Sequence, residues 1–517
     1  MQASIGARAR AAAAGAGSSS SSSSSSSASA LFSSSSSLSA RPASAAAAAA
    51  ALSKVQAATA LPSLAAPRSL AARRTIAAPL RPLAAAATDA PAQTTSSSTT
   101  STTATTPARP PVPGLHPTRL LGVGASVPST VLTNDDLARL VDTNDEWITT
   151  RTGIKRRHVL APGETMTQHA AAAALKALEM AGIAPQDVDM VILCTSTPDD
   201  AFGGAGQVQA AIGATSAVAF DLTGACSGFV LGVVTAAQYL RTGLAKRAVV
   251  VGADALSRIT DWTDRGTCIL FGDGCGAVVL AASDAVPEAY AASEAGRRAA
   301  DKAAEAAAKA EAAAAAGAAA AGSAAAAAPV PAGVRGRGPP GCAILGVDMK
   351  SDGRGHKSLN CVYRPPAAGG EGGSDGSSNT TAAAASKPTA PPEQAGSPAQ
   401  YSNIAMAGQE VFKFAVRSVP AVIDSALDAA GVAKEEIDWL VMHQANARIL
   451  DAAAQRLGLP AERVVTNLSE YGNTSAASIP LALDEAVRGG KVKGGDLMAM
   501  AGFGAGLTWA GAIVRWG

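Results

Sequence analysis

Residues 181–193, AGIAPQDVDMVIL, return almost position for position at 430–442 as AGVAKEEIDWLVM. In each copy an amphipathic helix ends at a glycine, a short helical turn follows, and an Asp precedes an apolar strand. A second pair follows in step: YLRTGLAKRAVVVGAD at 239–254 and AVRGGKVKGGDLMAMAGFG at 486–504, again a helix end, a turn and a strand. Two long copies point to a pair of similar α/β halves, because a solenoid needs at least three short units. The strands VDMVILCTS, AVAFDLTG, RAVVVGA, WLVMHQA and DLMAMAGFG are too apolar for a one-sided sheet. They are expected as central strands with helices on both faces. Such a pair places its reactive residues where strand ends meet between the halves.

Two low-complexity stretches interrupt this pattern. The first, at 284–340, runs from AGRRAADKAAEAAAKAEAAAAAG, which suits a solvated helix, into AAAAAPVPAGVRGRGPP, which cannot continue one. The second, at 365–399, is Gly, Ser, Thr and Pro and reads as a disordered loop. Both are expected to be tolerated surface insertions on either side of a core segment at 341–364, with one half at 113–283 and the other at 400–517. Residues 1–112 read as a transit peptide and linker: the first acidic residue is Asp89, and before it stand Ala, Ser and scattered Arg. The serine runs favour a plastid over a mitochondrion. No run of about 18 to 20 strongly apolar residues follows, so no membrane span is expected.

Lys+Arg 42 against Asp+Glu 40 leaves a formal charge of +2, which gives no global field for nucleic acid. The six cysteines have neither CxxC spacing nor the density of a disulfide scaffold, so a reducing compartment and no metal are expected.

Of these cysteines only Cys226, in AVAFDLTGACSGFVLGVVTAAQYL, stands where an apolar strand passes into a helix. A helix N-terminus favours thiolate over thiol, so a lowered pKa is expected there, and the small neighbours Gly224, Ala225, Ser227 and Gly228 let a carbonyl approach. A buried structural cysteine fits the same local text. Among five histidines, His443 alone ends a core strand, at the position that Cys194 holds in the first copy. Asn473 lies in LSEYGNTSAASIPLAL, a loop where Asn caps a helix or lines a pocket. The glycine-rich GFGAGLTW at 502–509 lacks the third glycine and downstream acid of a dinucleotide loop.

In this order TGACSGF, HQANARI and YGNTSAASIP strongly resemble the β-ketoacyl-acyl-carrier-protein synthase III family of the thiolase fold. TNDEWITTRTGIKRR, DRGTCILFGDG, MAGQEVFKFAV and GFGAGLTWAGAIVRW extend the match over 114–517 outside the insertions. The resemblance implies an α/β thiolase-like fold, two duplicated halves in a five-layer αβαβα arrangement. It implies acyl transfer from acetyl-CoA to Cys226, then decarboxylative condensation with malonyl-acyl-carrier protein, with no cofactor. His443 and Asn473 would stabilise the enolate, and the backbone of Cys226 and Ala505 would form the oxyanion hole. The family's CoA site falls on Trp147, Arg151, Thr152, Arg265, Gly408, Phe412 and Asn446. Its carrier-protein edge falls on Gln444, Ala445, Asn446, Ala447 and Arg448, with Lys413 and Arg456. A homodimer is implied, with Phe202 entering the partner's acyl pocket. Gly203 and Gly204 replace the family's usual Pro-Ser there, which puts primer selectivity in question. A CoA-dependent condensing enzyme of the polyketide type and a non-catalytic homologue stand as alternatives.

Overall fold

The computed structural model describes residues 116–316, 334–337, 342–364 and 400–517. The expected transit segment at 1–112 and the insertion at 365–399 lie outside these residues.

The apolar strands form two five-stranded sheets. The first runs Thr118–Ser126, Asp273–Ala282, Arg247–Ala255, Met190–Cys194, Val218–Leu222, with two antiparallel pairs followed by two parallel ones. In the second, Ile344–Ser351, Thr508–Arg515, Leu497–Gly504 and Trp439–Met442 follow the same sequence of directions: antiparallel, antiparallel, parallel. Met190–Cys194 and Trp439–Met442, the strands of the repeated text, hold equivalent places. Even the fifth strand has a counterpart, in the parallel bridge from Leu440 to Val464.

Each strand buries alternate residues in different layers, as the period of two requires. Met190, Ile192 and Cys194 face the middle of the molecule, where the Gly228–Arg241 and Ser478–Arg488 helices supply Val230, Val234, Ile479 and Leu483. Met498, Met500 and Val514 of the second sheet close this layer from the other side. Val191 and Leu193 face outward, under the Met166–Ala181 and Ala205–Ile212 helices. The Gly408–Ala430 and Ala447–Leu457 helices cover the second sheet in the same way, over Leu440, Ala499 and Ile513. The result is the five-layer αβαβα order of the thiolase fold.

The stretch expected as a tolerated loop at 284–340 is in part built into the second half. Val334–Arg337 adds an antiparallel edge strand beside Ile344–Ser351. The Glu294–Ala316 helix buries Ala299, and its Arg298 donates to Asp496 at 2.9 Å while Lys309 reaches Glu436 at 2.8 Å. Alanine-rich text gives a helix whose basic residues find acids on the neighbouring surface.

Gly122 and Gly346 occupy matching strands. A Cβ at Gly122 would strike the Ala177 carbonyl of its covering helix, and one at Gly346 the Ala426 carbonyl of the other. Both halves therefore use glycine to let helix backbone rest on strand backbone. Gly346→Ala is expected to destabilise by about 1–3 kcal/mol through overpacking, read as a lower thermal midpoint; an unchanged midpoint would mean that the helix is not held this closely.

Candidate active site

Cys226 leaves the Val218–Leu222 strand through Thr223 and Gly224 and sits in the 3-10 turn Ala225–Ser227, just ahead of the Gly228–Arg241 helix. Ala225 has a φ of 45°, a conformation that non-glycine residues seldom hold without support. The support comes from the other half. A Cβ on Gly504 would lie 2.8 Å from the Cys226 amide nitrogen, and one on Gly502 would lie 2.9 Å from the Ser227 Cα. The glycines of GFGAG thus serve close contact between the halves, and Ala505 follows directly at the end of this strand.

The expected lowering of the Cys226 pKa is overturned. The residue is 8% exposed, and burial pushes the thiol up to about 12. A hydrogen bond with the Ser475 side chain opposes the shift, the charge of Asp254 adds to it, and the thiol's own backbone opposes it again. Removal from water outweighs the helix terminus, whose first residue is Gly228, two positions on.

His443 follows the Trp439–Met442 strand, and its amide donates to Ala501 O at 2.8 Å. Its Nδ1 lies 2.7 Å from Ser478 Oγ, and the Phe503 ring meets the imidazole edge-on at 5.1 Å. Burial pushes its pKa down to about 3 against a hydrogen bond to the Ser475 backbone, so the ring is neutral at working pH. Asn473 is clamped to the LFGDG segment: its amide donates to Leu270 O at 2.8 Å and its carbonyl accepts from Gly272 N at 3.0 Å. Its Oδ1 accepts the Ser475 amide at 2.9 Å, which leaves the side-chain NH2 as the free donor. Ser475, at a φ of 50°, thus fixes Asn473 through its amide, while its carbonyl accepts from the Ser478 hydroxyl that lies against His443 Nδ1.

Sequence reasoning passed over Ser475, Ser478, Phe503 and Asp254. The two serines lie within the same NTSAAS text as Asn473, and Asp254 is an acid closing an otherwise apolar strand. Those were the available signals.

Around this centre the remaining expectations divide. The guanidinium groups of Arg151 and Arg265 each lie 4.7 Å from the centre of the Trp147 ring, so Arg265 belongs with the aromatic clamp. Gly408 is exposed at the start of its helix, with Phe412 partly exposed one turn on. Asn446 caps the Ala447–Leu457 helix through Arg448 N and donates to Arg151 O at 3.2 Å, tying the two regions together. Lys413, Arg448 and Arg456 are exposed, and Ala445 and Ala447 half-buried beside them. Two expectations are corrected. Gln444 is fully buried and donates to Met442 O and Val465 O, so its side chain cannot meet a partner. Thr152 is buried at its helix end, where Oγ1 donates to Ile148 O at 2.7 Å and accepts from Ile154 N, so it lines no open channel. Phe202 is fully exposed. Behind it Gly203 has a φ of 106°, and Asp221 accepts from the Gly204 and Ala205 amides, which accounts for glycine at 203. Among the described residues no group of three or more His, Cys, Asp or Glu could hold a metal ion.

The chain matches family models described as 3-oxoacyl-[acyl-carrier-protein] synthase III over residues 220–297 and its C-terminal part over 427–516. It is 45% identical over 398 residues to the beta-ketoacyl-[acyl-carrier-protein] synthase III of Microcystis aeruginosa, covering 77% of this chain and 97% of that one. It is 46% identical over 399 residues to the chloroplastic enzyme of that name from Arabidopsis thaliana, covering 77% and 82%. Among solved structures, the 3-oxoacyl-[acyl-carrier-protein] synthase III of Aquifex aeolicus superposes with a TM-score of 0.56 at 36% identity, over 77% of this chain and 100% of that one.

With the thiol raised this far, alkylation of Cys226 by iodoacetamide in the free protein is expected to keep rising with pH beyond 9. A plateau below pH 8 would contradict the burial effect.

Proposed function

The chain belongs to the β-ketoacyl-acyl-carrier-protein synthase III family, the acyltransferases that initiate fatty-acid synthesis, and we propose that Cys226, His443 and Asn473 carry its reaction. The observation that supports this most is that the turn from Asn473 to Ser478 fixes the Asn473 side chain and meets His443 Nδ1 at the seam where Gly504 packs on Cys226. The Cys226 sulfur attacks the thioester carbonyl of acetyl-CoA, its proton leaves with the CoA thiol, and the acyl group is held on Cys226. The Cys226 and Ala505 amides face the oxyanion of this step. Malonyl-acyl-carrier protein then loses CO2, and the enolate oxygen develops charge between the Asn473 amide and His443 Nε2. That nitrogen carries the proton in the tautomer whose Nδ1 accepts from the Ser478 hydroxyl, which must then turn from the Ser475 carbonyl it otherwise donates to at 2.8 Å. The enolate carbon attacks the acyl carbonyl, the C–S bond to Cys226 breaks, and the thiolate takes up one proton from water, leaving acetoacetyl-acyl-carrier protein.

A neutral imidazole suits this work, because it donates without first having to lose or gain a proton. One such donor is typically worth about 3 kcal/mol. The Trp147, Arg151 and Arg265 cluster would take the CoA adenine, and Lys413, Arg448 and Arg456 the acidic carrier protein. The outer edge of Val218–Leu222 pairs with no strand among the described residues, and exposed Phe202 lies near its helix-capping Asp221. Both support a homodimer in which Phe202 enters the partner's acyl pocket. A plastid location is proposed from the acid-free leader sequence and the chloroplastic relative.

The direct test supplies labelled acetyl-CoA and malonyl-acyl-carrier protein: ketoacyl product is expected from wild type and none from Cys226→Ser, and no product from wild type would refute the reading. His443→Ala and Asn473→Ala should each lower condensation by about 10²–10³-fold while acyl transfer from CoA persists. Because burial holds the His443 pKa near 3, the condensation rate should show no acidic limb near pH 6.5; a limb there that His443→Ala abolishes would contradict the neutral donor. Arg448→Glu should weaken use of the carrier-protein substrate and spare transfer from CoA, and equal loss of both would count against the docking edge.

A further inference from the structure

Asp254 lies in the Arg247–Ala255 strand of the first half and is wholly buried, yet no step above uses it. Its Oδ1 accepts from the Ser196 amide at 2.8 Å, the Thr197 hydroxyl at 3.0 Å and the Thr195 hydroxyl at 3.2 Å, all just beyond the Met190–Cys194 strand. Its Oδ2 reaches across the seam to accept the Ala476 amide at 3.2 Å. The nearby Ser475 hydroxyl eases ionisation of both this carboxyl and the Cys226 thiol, against the burial that raises each. Every one of these partners is uncharged. A carboxylate removed from water and held by dipoles alone is costly, and a neutral side chain would pack there more cheaply. What the anion does hold is the turn after Asn473. Ser475 there keeps a left-handed backbone, and its amide fixes the Asn473 side chain.

We propose that Asp254 is a positioning residue for the condensation step, a buried anion that latches the Ser475–Ala476 turn across the seam and so keeps the Asn473 amide aimed into the cleft. It acts through the turn and touches no reacting atom. Its negative charge also opposes thiolate at Cys226, as it does at the neighbouring buried Cys194 and Cys275. This charge adds to the burial that keeps the resting thiol protonated. The inference rests on Cys226 being the acyl acceptor.

Asp254→Asn removes the charge and sets an NH2 group or a weaker acceptor against the Ala476 amide. Condensation with malonyl-acyl-carrier protein is expected to fall on the order of 10²-fold, well beyond any loss in acyl transfer from CoA. Alkylation of Cys226 by iodoacetamide at pH 8 is expected to become several-fold faster. Ser475→Ala keeps the charge but removes the hydroxyl that eases ionisation, so alkylation should become slower; a merely structural role would not move the two variants in opposite directions. Slower or unchanged alkylation in Asp254→Asn, or an equal fall in both half-reactions, overturns the latch. Should Asp254→Asn fail to fold, faster alkylation in Ser475→Ala overturns it alone. Wild type that takes no acetyl group onto Cys226 refutes the parent reading instead, whereas labelled wild type with unmoved variants refutes only the latch.

Discussion

The site depends on how closely the Leu497–Gly504 strand can lie against the turn that carries Cys226. At Gly504 there is no room for a side chain, since a Cβ would fall 2.8 Å from the Cys226 amide nitrogen. That contact joins the two halves beside the nucleophile. It fixes Cys226 from one side, while Phe503 on the same strand meets His443 from the other. A turn strained at Ala225 is tolerable because the opposing backbone leaves it nowhere else to go.

The same burial governs the electrostatics. It raises the thiol to about 12 and lowers the imidazole to about 3, so both groups are neutral at rest. A neutral pair suits an enzyme that must stay inert to water and stray electrophiles until a thioester enters. Donors already placed by rigid neighbours then act on charge as it develops, and no reorganisation is needed at that moment. Ser475 and Ser478, bonded to these residues, supply that rigidity.

Much of the fold was legible because duplication leaves its mark on text. The match of 181–193 with 430–442 anticipates two strands that occupy equivalent places in two sheets, and their apolar character anticipates helices on both faces. Cys226 was marked by its strand-to-helix context and His443 by its repeat position, whereas Asn473 needed the family resemblance. Local text could not show how deeply the seam is buried, so the sign of the Cys226 shift was misjudged. Nor could it show that Gln444 and Thr152 point into protein, because a polar residue in a loop looks the same whether it bonds a neighbour or faces water. The Glu294–Ala316 helix was anticipated as a helix but not its docking, because composition reports that a helix can form, while only the placement of Asp496 and Glu436 shows where it rests.

The central claim is that the seam between the halves makes Cys226, alone among six free cysteines, the acceptor of the acyl group. Peptide mapping by mass spectrometry after brief exposure to acetyl-CoA, with no malonyl substrate present, tests it most directly. The acetyl group should be found on the peptide containing Cys226 and should vanish when malonyl-acyl-carrier protein is added. Acetylation at another cysteine, or none on Cys226 in a protein that still makes product, would contradict it.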